Sequence, residues 1–251
     1  MTPRAAMGNR LLAGLPAADL DLLKPELEVI ALDQDAVISR AGDPIEYVFF
    51  PHSGAISLMI DMANGETVAA AAVGREGAVG ILSVLGPTPS AITAIVRAAG
   101  TVSRIAASRF HAACNRSPAI RHAVQIYLRA MLIQFQLGAA CNALHPVEAR
   151  MARWLLDLRD RIDHDVLPLT QEALSQILGV RRTTVTLLMR RLRASGAIRS
   201  HRRGQIEVDR SRLAAVACEC HETMRLEVEE IFSMNTARPR VFVVPDNAID
   251  E

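Results

Sequence analysis

The stretch LPLTQEALSQILGVRRTTVTLLMRRLRASGAIRSHRRGQIEVDR, residues 167–210, decides how the whole chain is read. Thr170 has the short hydroxyl side chain that caps helix N-termini, and Gln171 and Glu172 follow it, with negative charge where the helix dipole favours it. Ala173, Leu174, Ile177 and Leu178 form an apolar face at helical spacing, and Gly179 sits where the chain must turn tightly. A second helix is expected from about Arg181 to Ala194, with Val185, Leu188, Met189 and Leu192 on one side and Ser195-Gly196 ending it. Residues 197–200 and 205–208 alternate like two short strands, and Arg202-Arg203-Gly204 joins them as a basic loop. Helix, tight turn, helix and β-wing is the order of a winged helix-turn-helix.

Charge supports a polyanion partner for this stretch. Residues 1–146 carry 11 Lys/Arg and 11 Asp/Glu, residues 147–212 carry 14 Arg against 8 acids, and residues 213–251 carry 3 basic against 8 acidic side chains. Between 181 and 203 there are eight Arg and no acid. A surface built only for solubility mixes both signs, so the segregation points to double-stranded DNA. The first turn of the second helix would face the major groove, presenting Arg181, Arg182, Thr183, Thr184 and Thr186. Arginine can bond guanine O6 and N7 together, and threonine can meet a thymine methyl or a phosphate. Arg202 and Arg203, with His201, suit phosphate contacts from the wing.

Upstream, short apolar runs recur at 28–32, 36–39, 47–51, 54–60, 67–73, 91–98 and 100–106, separated by turn residues such as Asn64-Gly65. They predict a β-sandwich or β-roll. After Phe110 the period becomes helical. Residues 118–143 predict one long helix whose Val124, Tyr127, Leu128, Met131 and Phe135 form a candidate homodimer seam. His145-Pro146 ends it, because the residue before proline disfavours the helical region. A second helix follows at 147–161, and a further one is expected to reach about Ser233 before a loose end.

Several classes are set aside. No run approaches the roughly 18 apolar residues of a membrane helix. The N-terminus lacks a long apolar run with a small-residue cleavage site, which predicts no signal peptide, a cytoplasmic setting and no membrane partner. No Ser-His-Asp context, phosphate-binding glycine loop or H-E-x-x-H zinc helix points to an enzyme. The four cysteines, Cys114, Cys141, Cys218 and Cys220, show no paired C-x-x-C. Cys218-Glu219-Cys220-His221 reads as packing cysteines with free thiols, since two sulfurs one residue apart beside one histidine rarely close a tetrahedral site; no metal and no cofactor are expected.

The order of parts, together with LTQEALSQILGVRRTTVTLLMRRLRASGAI, resembles the Crp/Fnr family of transcription regulators over about residues 12–215. The resemblance implies an α+β fold: an N-terminal jelly-roll-like sensor β-roll of the cyclic-nucleotide-binding type (12–116), a long dimerisation helix (117–144), a C-terminal winged helix-turn-helix (145–215), then a C-terminal extension (216–251). It implies a homodimer on an inverted repeat, and RNA polymerase as a further partner. Arg182 takes the family's guanine-reading position, Thr183 replaces the usual glutamate, so the half-site is expected to depart from the family consensus there, and Thr170 matches a phosphate-touching position. In the sensor, Arg75, Glu76 and Thr93 are the candidate effector pocket. Ile92 falls where the family's cyclic-nucleotide binders place an arginine against the phosphate, and an apolar residue cannot balance a buried phosphate charge. Cyclic AMP is therefore not expected as effector; another small molecule, or none, remains open. The alternative is a signalling protein that binds a cyclic nucleotide or another small ligand and has no DNA function.

Overall fold

All seven apolar runs between residues 28 and 106 become strands in the computed structural model, which describes residues 8–86, 88–200 and 205–236. After two short helices, α1 (Arg10–Ala13) and α2 (Ala17–Leu23), come β1 (Glu28–Leu32), β2 (Val37–Ser39), β3 (Tyr47–Pro51), β4 (Ala55–Asp61), β5 (Thr67–Val73), β6 (Thr93–Ala98) and β7 (Gly100–Ala106). They form two antiparallel sheets, β1-β7-β3 and β2-β6-β4-β5, closed on each other as a β-roll. Asn64-Gly65 turns the β4–β5 hairpin, with Gly65 at φ 83°.

The roll interior holds Val48, Phe50, Ile56, Leu58, Val73, Val96, Val102 and Ile105, with Phe50 and Phe110 edge-on at 5.5 Å between ring centroids. The other face of the four-stranded sheet is apolar as well. Its Ala55, Met59, Ala69, Ala72 and Ala98 belong to a second core shared with the C-terminal helices. That double burial is why the β5 run TVAAAAV reads as a continuous apolar block rather than an alternation. β-bulges between Leu58 and Met59 and between Ala55 and Ile56 shift the alternation where the two cores meet.

The helical half begins with α3 (Ala107–Arg116) and α4 (Pro118–Leu144). Ser117 caps α4 through its hydroxyl on the Ile120 amide at 3.0 Å, and Pro118 sits at the first helical position, where no amide is needed. His145 leaves the helix in an extended conformation, as the following proline requires. Then come α5 (Val147–Ile162), β8 (Val166–Leu167), α6 (Gln171–Leu178), α7 (Arg182–Ala194), the wing strands β9 (Ile198–Ser200) and β10 (Ile206–Val208), α8 (Arg210–Val216) and α9 (Cys220–Thr236). The wing sheet has the order β8-β10-β9. Helix α9 runs back antiparallel along α4, burying Val228 and Ile231 against Ile126 and Ala130. Among the described residues no helix is long and apolar enough to cross a membrane.

Gly179 closes α6 in the left-handed conformation at φ 62°, its amide bonded to the carbonyls of Gln176 and Ser175. A β-carbon there would also stand 3.3 Å from the Val68 side chain of β5. Gly179→Ala is expected to lower stability by about 1–2 kcal/mol, the cost of a left-handed alanine, and Gly179→Asn by less. Urea unfolding of the two variants checks this ranking; equal losses would assign the cost to the Val68 contact instead.

Candidate nucleic-acid interface

Helix α6 is anchored at both ends, by Thr170 Oγ1 accepting the Ala173 amide at 3.0 Å and by Gly179. Its Leu174, Ile177 and Leu178 are buried with Val185, Leu188, Met189 and Leu192 of α7, so one helix props the other. The opposite side of α7 is open. Arg181, Arg182 and Thr183 are exposed, and among the described residues no acid pairs with either arginine. Thr184 is half-buried. Thr186 is tied into the structure, its hydroxyl lying 2.9 Å from Gln171 Oε1 of α6 and 3.1 Å from the Arg182 carbonyl. Thr170 is exposed beside its cap bond. Arg202 and Arg203 lie outside the described residues.

Sequence reasoning did not single out Leu187 and Arg190. Both are exposed, and with Thr183 they follow the i, i+4, i+7 spacing of one helix face, a signal readable once the buried face of α7 is assigned. Arg191 is engaged elsewhere, pairing with Glu148 of α5 at 3.2 Å.

Of the candidate effector residues, Arg75 and Glu76 line one cleft and Thr93 does not. Arg75 is exposed, and Glu76 points into a cleft of about 710 Å³ bordered by α4, α5 and the start of α9. Arg161 of α5 reaches into the same cleft and bonds Glu76 Oε1 through Nε at 2.9 Å, both side chains being about 15% exposed. Burial works to lower the Arg161 pKa, yet the charges of Glu76 and Asp157 outweigh it and hold the guanidinium above its ordinary value. Tyr127 fills the space next to Gly77 and donates to the Ala78 carbonyl at 3.1 Å. Thr93 lies apart from all of these, bonded to Asp61 Oδ2 at 2.5 Å and to the Ala41 amide at 3.1 Å.

The candidate seam residues are used within the chain. Val124, Tyr127 and Met131 are buried in the roll's core, and Leu128 and Phe135 pack half-buried against it. Among the residues α4 leaves outside is the stripe Gln125, Arg129, Leu132, Gln136, Ala139 and Ala143, alternating steps of four and three residues.

Comparison with known proteins agrees with this architecture. A family model described as cyclic nucleotide-binding domain matches residues 29–117, and one described as Crp-like helix-turn-helix domain matches residues 149–216. Among curated proteins, none matches the sequence. FixK2 from Bradyrhizobium japonicum superposes with a TM-score of 0.65 at 18% identity, over 76% of this chain and 98% of that one. The c-di-GMP-responsive global regulator CLP of Xanthomonas campestris gives 0.63 at 17% identity, over 77% and 99%. A Crp/Fnr-family transcriptional regulator from Thermus thermophilus gives 0.63 at 22% identity, over 76% and 98%. These likenesses establish a shared fold. With a cyclic nucleotide-binding domain and a Crp-like helix-turn-helix on one chain, joined by a long helix in the order β-roll, helix, winged domain, the protein belongs to the Crp/Fnr family of transcription regulators.

Proposed function

We propose that the protein reads an inverted repeat as a homodimer and does so without responding to cyclic AMP. The observation that carries the DNA reading is the open first turn of α7, where Arg181, Arg182 and Thr183 stand in solvent without acidic partners among the described residues. Arg182 is the base-reading residue, bidentate on a guanine. Arg181 and Arg190 take phosphates on either side, and Thr170 takes another near the start of α6. Thr183, shorter than glutamate and lacking its charge, leaves the neighbouring pair to methyl or water contact. RNA polymerase is the further partner that a regulator of this type recruits or blocks.

The dimer forms along the exposed stripe of α4. Burial of Val124, Tyr127 and Met131 in the roll removes them from the seam and leaves Leu132, 56% exposed, as its largest apolar side chain. The alanines at 139 and 143 allow two such helices to approach closely toward their C-terminal ends. Two recognition helices then address half-sites one helical turn apart, about 34 Å.

Unresponsiveness to cyclic AMP rests on two features. Ile92 offers no counter-charge to a phosphate, and an unpaired buried charge is costly. Glu76, the carboxylate that could hold a ribose hydroxyl, is already bonded to Arg161, and a nucleotide would have to break that pair before gaining anything from it.

Arg182→Ala is expected to cost about 1–3 kcal/mol in binding to the protein's own upstream DNA and to relax preference at one base pair, in fluorescence anisotropy across a salt series. A loss equal to that of Arg193→Ala, with sequence preference intact, would remove Arg182 from base reading. Leu132→Glu is expected to give monomers by light scattering, with weaker operator binding and an unchanged circular dichroism spectrum; a persistent dimer places the seam elsewhere. Calorimetric titration with cyclic AMP is expected to show no binding in the micromolar range, and a micromolar dissociation constant would reverse that part of the reading.

A further inference from the structure

Three of the chain's four cysteines meet at one place, and a histidine meets them there. Cys141 lies in the last turn of α4, and His145 follows four residues later as its C-cap, so both project to the same side. Cys218 lies in the link from α8 to α9, and Cys220, after Glu219, opens α9. The Sγ atoms of Cys141 and Cys218 are 3.5 Å apart, and Cys220 Sγ is 3.5 Å from His145 Nδ1. All four donor atoms lie within 4.8 Å of one another. The three thiols are buried and the imidazole is half-buried. The sequence reading grouped Cys218 and Cys220 with His221, but the fold sends His221 to Asp160, at 3.1 Å, and supplies Cys141 and His145 from a helix 77 residues upstream.

From this geometry we infer that Cys141, His145, Cys218 and Cys220 form a closed tetrahedral site for one thiophilic divalent ion of the zinc type. A tetrahedron with metal–sulfur bonds of about 2.3 Å has edges of roughly 3.8 Å between sulfurs, so the two measured edges need only tenths of an ångström of adjustment. Thiolate and imidazole donors select zinc over magnesium or calcium, and four protein ligands leave no open position, which makes the site structural rather than catalytic. A multi-iron cluster binds its ligands through separate irons and would need these donors to spread. A disulfide would pair two sulfurs, leaving the third thiol and the imidazole without a purpose in the arrangement.

The surroundings fit the ion. His145 turns its second nitrogen, Nε2, to Glu219 Oε1 at 3.1 Å, the carboxylate–histidine support that orients metal-bound imidazoles. Three thiolates around a divalent cation leave one negative charge. Arg153, 3% exposed, stands beside the cluster with its Nη1 3.7 Å from Met224 Sδ, and Met224 packs with the three cysteines. Cys114, the fourth cysteine, sits alone in the roll's core and shows what a packing cysteine looks like in this chain.

The ion ties together the end of the long helix, the hinge at His145-Pro146 and the start of α9. The chain between Cys141 and Cys218 contains α5 through α8, hence the entire helix-turn-helix. The helix-turn-helix family match spans residues 149–216, so all four ligands lie outside it, two on either side. Metal loading therefore sets how firmly the DNA-binding unit is held against α4.

The test uses the full chain, purified under reducing conditions without chelator. Elemental mass spectrometry is expected to find one zinc per chain, retained in Cys114→Ser and lost in Cys141→Ser and Cys218→Ser. Because the latter two variants can lose stability, a second measurement uses the wild-type chain alone. After metal removal, cobalt(II) titration is expected to saturate at one equivalent with thiolate-to-cobalt charge-transfer bands and the visible bands of a tetrahedral ion. Absence of metal in the purified chain together with no such bands on titration overturns the site. Iron with acid-labile sulfide overturns the single-ion assignment, and a Cys141–Cys218 disulfide under the same reducing conditions overturns it as well. None of these readouts involves DNA, so the site stands or falls separately from the operator reading.

Discussion

The outer face of the four-stranded sheet is the surface on which the DNA-binding half is built. It offers Ala55, Ala69, Ala72 and Ala98, with Met59 and the partly buried Ile95 as longer apolar side chains. Small side chains on a pleated surface let helices approach closely, and Met151, Leu155 and Leu174 come down on this face fully buried. Two polar bonds fix the register. Arg97 of β6, 5% exposed, reaches Gln176 of α6 at 3.2 Å, and Gln34 donates to the Pro168 carbonyl at 2.9 Å. Burial pushes the Arg97 pKa down and Asp35, at 3.6 Å, works against that shift. Because α6 is pinned from below by the sheet, α7 is left with one free side, and that side carries the arginines.

Charge is apportioned in a way that keeps this side open. The acidic C-terminal segment follows a strongly basic domain, and an acidic tail folded onto α7 would compete with DNA. The described part of the tail goes elsewhere. Glu229 pairs with Arg10 at 2.6 Å, with the same guanidinium over the Phe232 ring, Glu222 pairs with Arg225 on its own helix, and Glu219 pairs with His145. Glu229 of α9 thus reaches the N-terminal helix, Glu222 stays on α9, and Glu219 just before it faces the hinge.

The strands and the helix-turn-helix were legible because local chemistry and final environment agree there: turn residues bound the runs, Thr170 and Gly179 cap one helix, and the apolar faces of α6 and α7 repeat at helical spacing. The seam was harder to read. Helix α4 is apolar on more than one side, since one side serves the roll, another serves α9 and a third remains outside, so periodicity alone could not assign Val124 or Met131 to a partner rather than to the chain itself. Thr93 was grouped with Arg75 and Glu76 by strand register, but these residues sit at different ends of the roll. Cys141 and His145 could not be joined to Cys218 and Cys220 from spacing, because only the return of α9 along α4 brings them together.

Glu76 belongs to the sensor and Arg161 to the unit that carries the recognition helix, and each holds the other's charge in a partly dry cleft. Any small molecule that claims either partner must work against the position of α5, and with it the aim of α7. The dependence is reciprocal: an operator that favours one placement of α5 would change the affinity of such a molecule by the same factor that the molecule changes the affinity for the operator. One ion pair thus joins the β-roll to helix α5 across the cleft, and a ligand that displaced it would couple the two halves through that contact.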